Sequence, residues 1–206
     1  EQESLIQSSD LNNGNDVGGE GRLRKPLLKL KTKSEQNGSK DKEGKPAVSV
    51  LSVLEHHPLL IDSIETVKNR LLIISPWIRS DVVDKRFLAR LENCLSRGVE
   101  TYVGFGIGER EEWKEINTDT KHALEKLAKR FKNFYFKRLG DTHAKVLLKD
   151  DEFFVLTSFN WLSFRGDPKR PFREELGNRI AIPHQVDEFF SKYVERFTKV
   201  PGNKMC

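Results

Sequence analysis

The sequence has few of the residues on which several classes of protein depend. Its 206 residues include two cysteines, Cys94 and Cys206, so neither a disulfide framework nor a cysteine-based metal site is supported. No run approaches the roughly 18 consecutive apolar residues that a membrane helix needs, and the chain opens without the pattern of a signal peptide. These absences predict a soluble, cytoplasmic protein without a membrane span.

Aromatic residues are missing altogether from residues 1–46. That segment holds eight hydrophobic residues and six of the 14 glycines, and its nine Lys and Arg nearly balance its eight Asp and Glu. Such a composition cannot bury a core. We therefore predict a flexible, disordered tail or linker over residues 1–46 and one folded domain over residues 47–206. A docking or nucleic-acid-touching segment within residues 22–33 is the alternative for the tail.

From residue 47 onward, helical and strand patterns alternate, which is typical of an α/β fold. Apolar residues at three- and four-residue spacing indicate helices, and short apolar runs bounded by turn residues indicate strands. The predicted helices are residues 48–70, 85–97, 118–132 and 186–197. The predicted strands are residues 71–74, 101–105, 134–139, 143–149, 153–160 and 176–182.

Two adjacent histidines, His56 and His57, lie within the first predicted helix. They have no companion ligands at a spacing typical of a metal site. We expect them to form a pair on the surface of the helix.

Polar residues that suit phosphate chemistry cluster on two adjoining predicted strands. Residues two apart on a strand share a face, so His143 and Lys145 point the same way, and so do Ser158 and Asn160. A two-residue turn at residues 150–151 would place His143 opposite Ser158. Lysine supplies charge, serine and asparagine supply hydrogen-bond donors, and histidine can act as nucleophile, acid or base without a metal. The cluster therefore predicts metal-independent chemistry on a phosphate diester.

The same residues resemble the HKD motif of the phospholipase D superfamily. The five fixed positions of that motif match at the family's spacing, and Thr157 replaces the usual glycine. The matching residues are His143, Lys145, Asp150, Ser158 and Asn160. The resemblance implies a mixed β-sheet flanked by helices on both faces, a phospholipase D-like catalytic domain over residues 47–206, and no metal or other cofactor.

The resemblance also implies a role for each motif residue. His143 would attack phosphorus to give a phosphohistidine intermediate, with Lys145 and Asn160 holding the nonbridging oxygens. Ser158 would support phosphate or histidine contacts. Asp150 would shape the turn rather than touch substrate, because Asp favours turns by bonding its own backbone.

The family usually places a carboxylate after the motif, where it holds the nucleophilic histidine in its working tautomer. Glu175 is the better match to that position, and Glu174 is the fallback. Family catalysis also needs two HKD motifs, and this sequence carries one. Single-motif members typically form homodimers, so we expect a homodimer that shares one composite site. The chain opens on Glu1 rather than Met, which leaves open a second motif in an absent part of a longer polypeptide.

The charge of the predicted domain favours a polyanionic substrate. Residues 47–206 carry 27 Lys and Arg against 23 Asp and Glu. The segment after the motif contains Arg165, Lys169, Arg170 and Arg173, and the rings of Trp77 and Trp161 either stack on bases or pack in the core or rim. We expect nucleic acid, DNA or RNA, as the partner and an endonuclease-type phosphodiesterase as the function. A phospholipase or phosphatidyltransferase, and a catalytically silent nucleic-acid-binding module, are the alternatives.

Overall fold

The computed structural model describes residues 40, 44, 46–107, 116–140, 142–166 and 174–198, and these residues form seven strands and four helices. In chain order the elements are β1 Val48–Leu51, α1 Val53–Thr66, β2 Arg70–Ile74, α2 Lys85–Ser96, β3 Glu100–Phe105, α3 Thr118–Arg130, β4 Phe134–Arg138, β5 Val146–Lys149, β6 Phe153–Thr157, β7 Gly177–Ile180 and α4 Pro183–Thr198. The predicted tail falls almost entirely outside the described residues. None of the described helices is long and apolar enough to cross a bilayer.

The strands form one mixed sheet in the order β1-β7-β6-β5-β2-β3-β4. β2, β3 and β4 are parallel neighbours, joined through α2 and α3, because parallel strands need a crossover connection. The other neighbouring pairs are antiparallel. The predicted α/β class and mixed sheet are therefore confirmed.

Helices cover both faces of this sheet. Successive side chains of a strand point to opposite faces, so Leu71 and Ile73 pack with α1, α2 and α3, while Leu72 and Ile74 pack with α4. All four side chains are fully buried. This burial on both sides explains why residues 71–74 form a continuous apolar run rather than an alternating one.

Residues 48–51 form a strand, although the sequence pattern indicated the start of a helix. They pair with β7 at the edge of the sheet, with Val48 opposite Ile180. The helix begins at Val53, after the cap residue Ser52, whose backbone N–H and hydroxyl donate to the carboxylate of Glu55 at 2.7 and 2.6 Å. This capping box fixes the boundary.

Several strands begin or terminate close together at one end of the sheet. Ile74, the last residue of β2, lies opposite Val146, the first residue of β5. On the next strands Val146 faces Leu156, and Thr157 faces Gly177. The loops before β5 and β7 and the loops after β2 and β6 therefore lie at the same end of the sheet.

Candidate active site

The motif residues lie just outside the strands rather than on them. β5 begins at Val146 and β6 ends at Thr157, so His143 and Lys145 precede one strand and Ser158 follows the other. Loops at a strand end leave polar groups free to meet a substrate, whereas strand positions here are buried in the sheet. All four side chains of β5 are buried.

The turn between β5 and β6 is longer than the two residues that the sequence indicated. Lys149 pairs with Phe153, which leaves three residues, 150–152, in the turn. The added residue shifts the register by one position, and the N–H of Thr157 donates to the carbonyl of Lys145 at 3.4 Å. The predicted pairing of His143 with Ser158 is therefore wrong.

Asp150 organises this turn from the end of β5 that lies away from the motif histidine. Its backbone has a φ of 51°, a left-handed conformation that aspartate tolerates better than most residues. Its carboxylate, 3% exposed, accepts hydrogen bonds from three successive backbone N–H groups at the start of β2. The donors are Lys68 at 2.9 Å, Asn69 at 2.6 Å and Arg70 at 3.1 Å. These contacts tie the turn to the adjacent strand.

His143 and Lys145 contact each other at the end of the sheet where β5 begins. The Lys145 ammonium lies 3.2 Å from His143 Nε2 and 2.9 Å from the carbonyl oxygen of the same residue. Because an ammonium can only donate, Nε2 must be the acceptor, and the ring proton of the neutral imidazole is on Nδ1. Lys145 is buried, whereas His143 is exposed and meets the ring of Trp77 edge-on at 5.9 Å. The arrangement presents an unprotonated ring nitrogen beside a fixed positive charge.

Asn160 adds a buried amide next to this pair of strands. The residue is 5% exposed, and its Oδ1 makes no hydrogen bond within the described chain. An unpaired buried polar group is costly, and its presence marks a position where a ligand can supply the missing partner. The backbone carbonyl of Asn160 accepts the N–H groups of Ser163 and Phe164, both at 3.1 Å, which holds the loop in place.

Ser158 is exposed and attached to the start of β7 by two hydrogen bonds. Its N–H donates to the carbonyl of Leu176 at 3.1 Å, and its hydroxyl accepts the N–H of Leu176 at 3.2 Å. The neighbouring Glu175 is 5% exposed, and its charge acts on His56, whose protonated form it favours. The orienting role of Glu175 on His143 remains a prediction.

His56 is completely buried, which corrects the expectation of a surface histidine. Its Nδ1 lies 2.8 Å from the carbonyl oxygen of Ser52, and its Nε2 lies 2.8 Å from Thr157 Oγ1. The ring also stacks on Phe159, with 4.6 Å between centroids. Gly177 makes room for it, since a Cβ there would lie 2.6 Å from Nε2.

The hydrogen bonds of His56 fix one ring nitrogen as a donor. Nδ1 faces the carbonyl of Ser52 and must donate, whereas Nε2 lies against the Thr157 hydroxyl, which donates its proton to the carbonyl of Leu176 at 2.8 Å. Burial lowers the pKa of His56 below its usual value, which favours the neutral ring. The sequence carried a signal for this position, because His56 shares the helix face of Val53, Leu60 and Ile64 at three- and four-residue spacing.

The residues predicted to bind substrate differ in their exposure and in their contacts. Trp161 is 0% exposed and packs against His56 and Phe159, so it is a core residue rather than a stacking surface. Trp77 lies beside His143, and Arg165 is exposed but forms an ion pair with Asp84 at 2.8 Å. Lys169, Arg170 and Arg173 lie outside the described residues. No group of three His, Cys, Asp or Glu side chains suited to a metal ion occurs among the described residues.

Comparison with known proteins identifies the fold. No family model matches this sequence, and no curated protein matches it either. Nuc from Salmonella typhimurium, a phospholipase D family member, superposes with a TM-score of 0.53 at 17% identity, covering 73% of this chain and 93% of Nuc. Phosphatidylserine synthase from Haemophilus influenzae gives a TM-score of 0.54 at 12% identity, covering 70% of this chain and 35% of the synthase.

A third solved structure, the archaeal chromatin protein TrmBL2, is described as showing a novel mode of DNA binding. It gives a TM-score of 0.51 at 16% identity, covering 73% of this chain and 52% of TrmBL2. The chain has the fold of the phospholipase D superfamily.

Proposed function

We propose that this chain is a metal-independent phosphodiesterase of the phospholipase D superfamily, an endonuclease that cleaves DNA or RNA. The observation that carries the proposal is the contact of 3.2 Å between Lys145 Nζ and His143 Nε2, on an exposed histidine whose proton is on Nδ1. A nucleophile needs such an unprotonated nitrogen, and a phosphoryl oxygen needs such a charge beside it.

In the first step, the Lys145 ammonium shifts from Nε2 of His143 to a nonbridging oxygen, and the freed Nε2 attacks phosphorus, forming a P–N bond as the P–O bond to the leaving oxygen breaks. A second imidazole protonates that oxygen. In the second step, this imidazole removes a proton from water, which attacks phosphorus and releases the histidine. Lys145 neutralises a nonbridging oxygen in both steps. Asn160 has no hydrogen bond on its Oδ1, so its amide can turn its nitrogen toward another of these oxygens.

The second imidazole would come from a second copy of the chain. An exposed apolar surface next to Ser158 supports this proposal. Val50, Asn178 and Leu156 lie side by side across β1, β7 and β6, and Val50 and Leu156 are 65% and 40% exposed. Leu176, which binds the backbone of Ser158, is 53% exposed. Exposed apolar side chains around a polar residue, here Asn178, are compatible with an interface, and a two-fold contact would use the same surface on both copies.

Nucleic acid is favoured as substrate by charge and by one structural neighbour. The chain has a net charge of +5, and TrmBL2, which has the same fold, is described as a DNA-binding protein. The neighbour from Haemophilus influenzae is a lipid-synthesising enzyme by name, so a phosphatidyltransferase is the second candidate. A silent nucleic-acid-binding module is the third, because Thr157 replaces the glycine that is usual in the motif.

The test is a cleavage panel in EDTA over single- and double-stranded DNA, RNA and phosphatidylcholine vesicles. We expect nucleic acid cleavage by the wild type and a loss on the order of a thousandfold or more in His143→Ala. The matched control is His122→Ala, which removes another exposed histidine, on α3. Substantial cleavage by a clean His143→Ala preparation would contradict the assignment.

Two further outcomes separate the candidates. Hydrolysis of vesicles without cleavage of nucleic acid would favour the lipid enzyme, and binding without any cleavage product would favour the silent module. Measurement of the molar mass in solution tests the dimer, which we expect at twice the 23.8 kDa of one chain.

A further inference from the structure

We propose that a cavity between α1 and α2 is a second phosphate-binding site, which holds a phosphate of the nucleic acid backbone away from the scissile one. The cavity has a volume of about 180 Å³. The polar residues that line it are His57, Asp84, Arg86, Arg90 and Arg165. The nucleic acid as ligand rests on the proposed function, whereas binding of a phosphate group does not.

The lining carries more positive than negative charge. Three guanidinium groups face one carboxylate, that of Asp84. Arg90 lines the cavity and donates through Nε to Glu65 at 2.6 Å, and Glu65 is not among the lining residues. Arg86 forms no ion pair within the described chain, so it brings an unbalanced charge. Arginine is the residue best suited to phosphate, because its planar fork matches two phosphate oxygens at once.

His57 provides an independent sign that a ligand is missing. Its Nδ1 is buried and makes no hydrogen bond within the described part of the chain. Burial lowers the pKa of His57, and the nearby charges of Arg165 and Arg90 lower it further, whereas the charge of Asp84 acts in the opposite direction. A bound anion would accept a hydrogen bond from this ring and offset the two positive charges.

The start of α2 borders the cavity at Arg86 and Phe87. Its N-terminus is already capped by Asp84, whose carboxylate accepts the N–H of Phe87 at 2.8 Å. The arginines, rather than the end of the helix, therefore provide the positive charge for a phosphate.

Two chain segments connect the cavity to the candidate active site. The segment that follows β2 starts beside His143 at Trp77 and reaches Asp84, and the segment that follows β6 runs from Asn160 to Arg165. They lie alongside each other, since Leu162 binds Ser75 Oγ at 3.2 Å and the N–H of Arg79 at 2.8 Å. The ion pair of Arg165 with Asp84 joins them at the cavity. A polyanion lying along these segments would pass from one site to the other.

The direct test follows the pKa of His57 by NMR in the full chain, with inorganic phosphate as the probe. We expect phosphate to raise this pKa in the wild type and in Lys85→Ala, and to leave it unchanged in Arg86→Ala. Lys85 is the matched control because it is the exposed cation next to Arg86 on the same turn, outside the cavity lining. A His57 pKa that does not respond to phosphate in the wild type would overturn the site.

The second test asks whether the phosphate that binds in the cavity belongs to a nucleic acid. Arg86→Ala should raise the KM for an oligonucleotide roughly tenfold and reduce the salt dependence of its binding by about one phosphate contact. The same variant should cleave bis(p-nitrophenyl) phosphate, which has a single phosphate, as fast as the wild type. Equal losses on both substrates would contradict a separate subsite. If the chain cleaves nothing, the phosphate titration of His57 still decides whether the site exists.

Discussion

His56 Nε2 lies 2.8 Å from Thr157 Oγ1, inside the protein and directly behind the motif residues. The contact joins α1 to the position where the motif usually has glycine. The N–H of Phe159 donates to the same hydroxyl at 2.9 Å, and Asn160 follows in the chain. The departure from the motif is therefore matched by a buried partner, which holds the loop that carries Ser158 and Asn160.

Replacement of His56 by alanine should lower the free energy of unfolding by about 3 kcal/mol, because it leaves a cavity beneath Phe159 and removes one of the partners of the Thr157 hydroxyl. Urea denaturation measures the change. His57→Ala is the matched control, since the adjacent ring is only partly buried, and we expect a loss below about 1 kcal/mol. Similar losses in both variants would argue against a special role for the contact between α1 and β6.

The two histidines should make stability depend on pH on the acid side. Burial lowers the pKa of His56 and of His57 from the usual 6.5, so the native state binds fewer protons than the unfolded state below that value. Their contribution to stability is complete above about pH 6.5 and is lost as the pH falls below it. Measurement of the unfolding free energy between about pH 5.5 and 7.5 should give a positive slope that is smaller in His56→Phe. An identical slope in wild type and variant would show that His56 does not contribute.

Gly177→Ala should destabilise the protein through the same contact. The new Cβ would lie 2.6 Å from His56 Nε2 and 3.2 Å from Thr157 Oγ1, a separation that requires the ring or the strand to shift. The informative measurement is a double-mutant cycle in urea. In the His56→Ala background the methyl group has space, so we expect the cost of Gly177→Ala to fall by at least about 1 kcal/mol. Full additivity would mean that the crowding is not against His56.

The sequence was informative where local patterns determine the result. Continuous apolar runs predicted the buried strands, and the predicted neighbours His143 and Lys145 are in contact just before β5. It did not predict the register of β5 with β6, because that register depends on a single residue of the turn. A left-handed Asp150 adds a third residue to the turn, and this moves the register by one position. No local pattern distinguishes the two turns, because the carboxylate that stabilises the longer one binds backbone groups about 80 residues earlier.

The burial of His56 is a second feature that the sequence alone did not predict. Its spacing with Leu60 and Ile64 predicts burial, but the residue type argued for the surface. What makes a buried histidine acceptable is a pair of hydrogen bonds, and one of them comes from Thr157, 101 residues away. Residue type and periodicity therefore conflict, and only the tertiary contact decides between them.

Asp150→Ala should act on stability and not on the chemical step. It removes a buried acceptor of three backbone N–H groups and places alanine at a φ of 51°, so we expect a loss of about 2–4 kcal/mol in unfolding free energy. Asp150→Asn tolerates the left-handed backbone and should lose less. Active-site titration would then give an unchanged kcat per folded molecule in both variants. A lower kcat in a variant that keeps the stability of the wild type would instead mean that Asp150 takes part in the reaction.

Lys145→Met should reduce phosphodiester cleavage about 100- to 1000-fold, because it removes the charge beside His143 Nε2 that would stabilise a nonbridging oxygen. The same strand region provides a matched control. Lys149 is buried to the same extent, 8% exposed in both cases, but it lies at the opposite end of β5 and pairs with Glu152 at 2.9 Å. Lys149→Met therefore removes an equally buried ammonium far from the motif. We expect it to lower stability while leaving kcat within about threefold of the wild type. Equal losses of kcat in the two variants, measured at matched fractions of folded protein, would mean that Lys145 acts through the fold rather than on the phosphate.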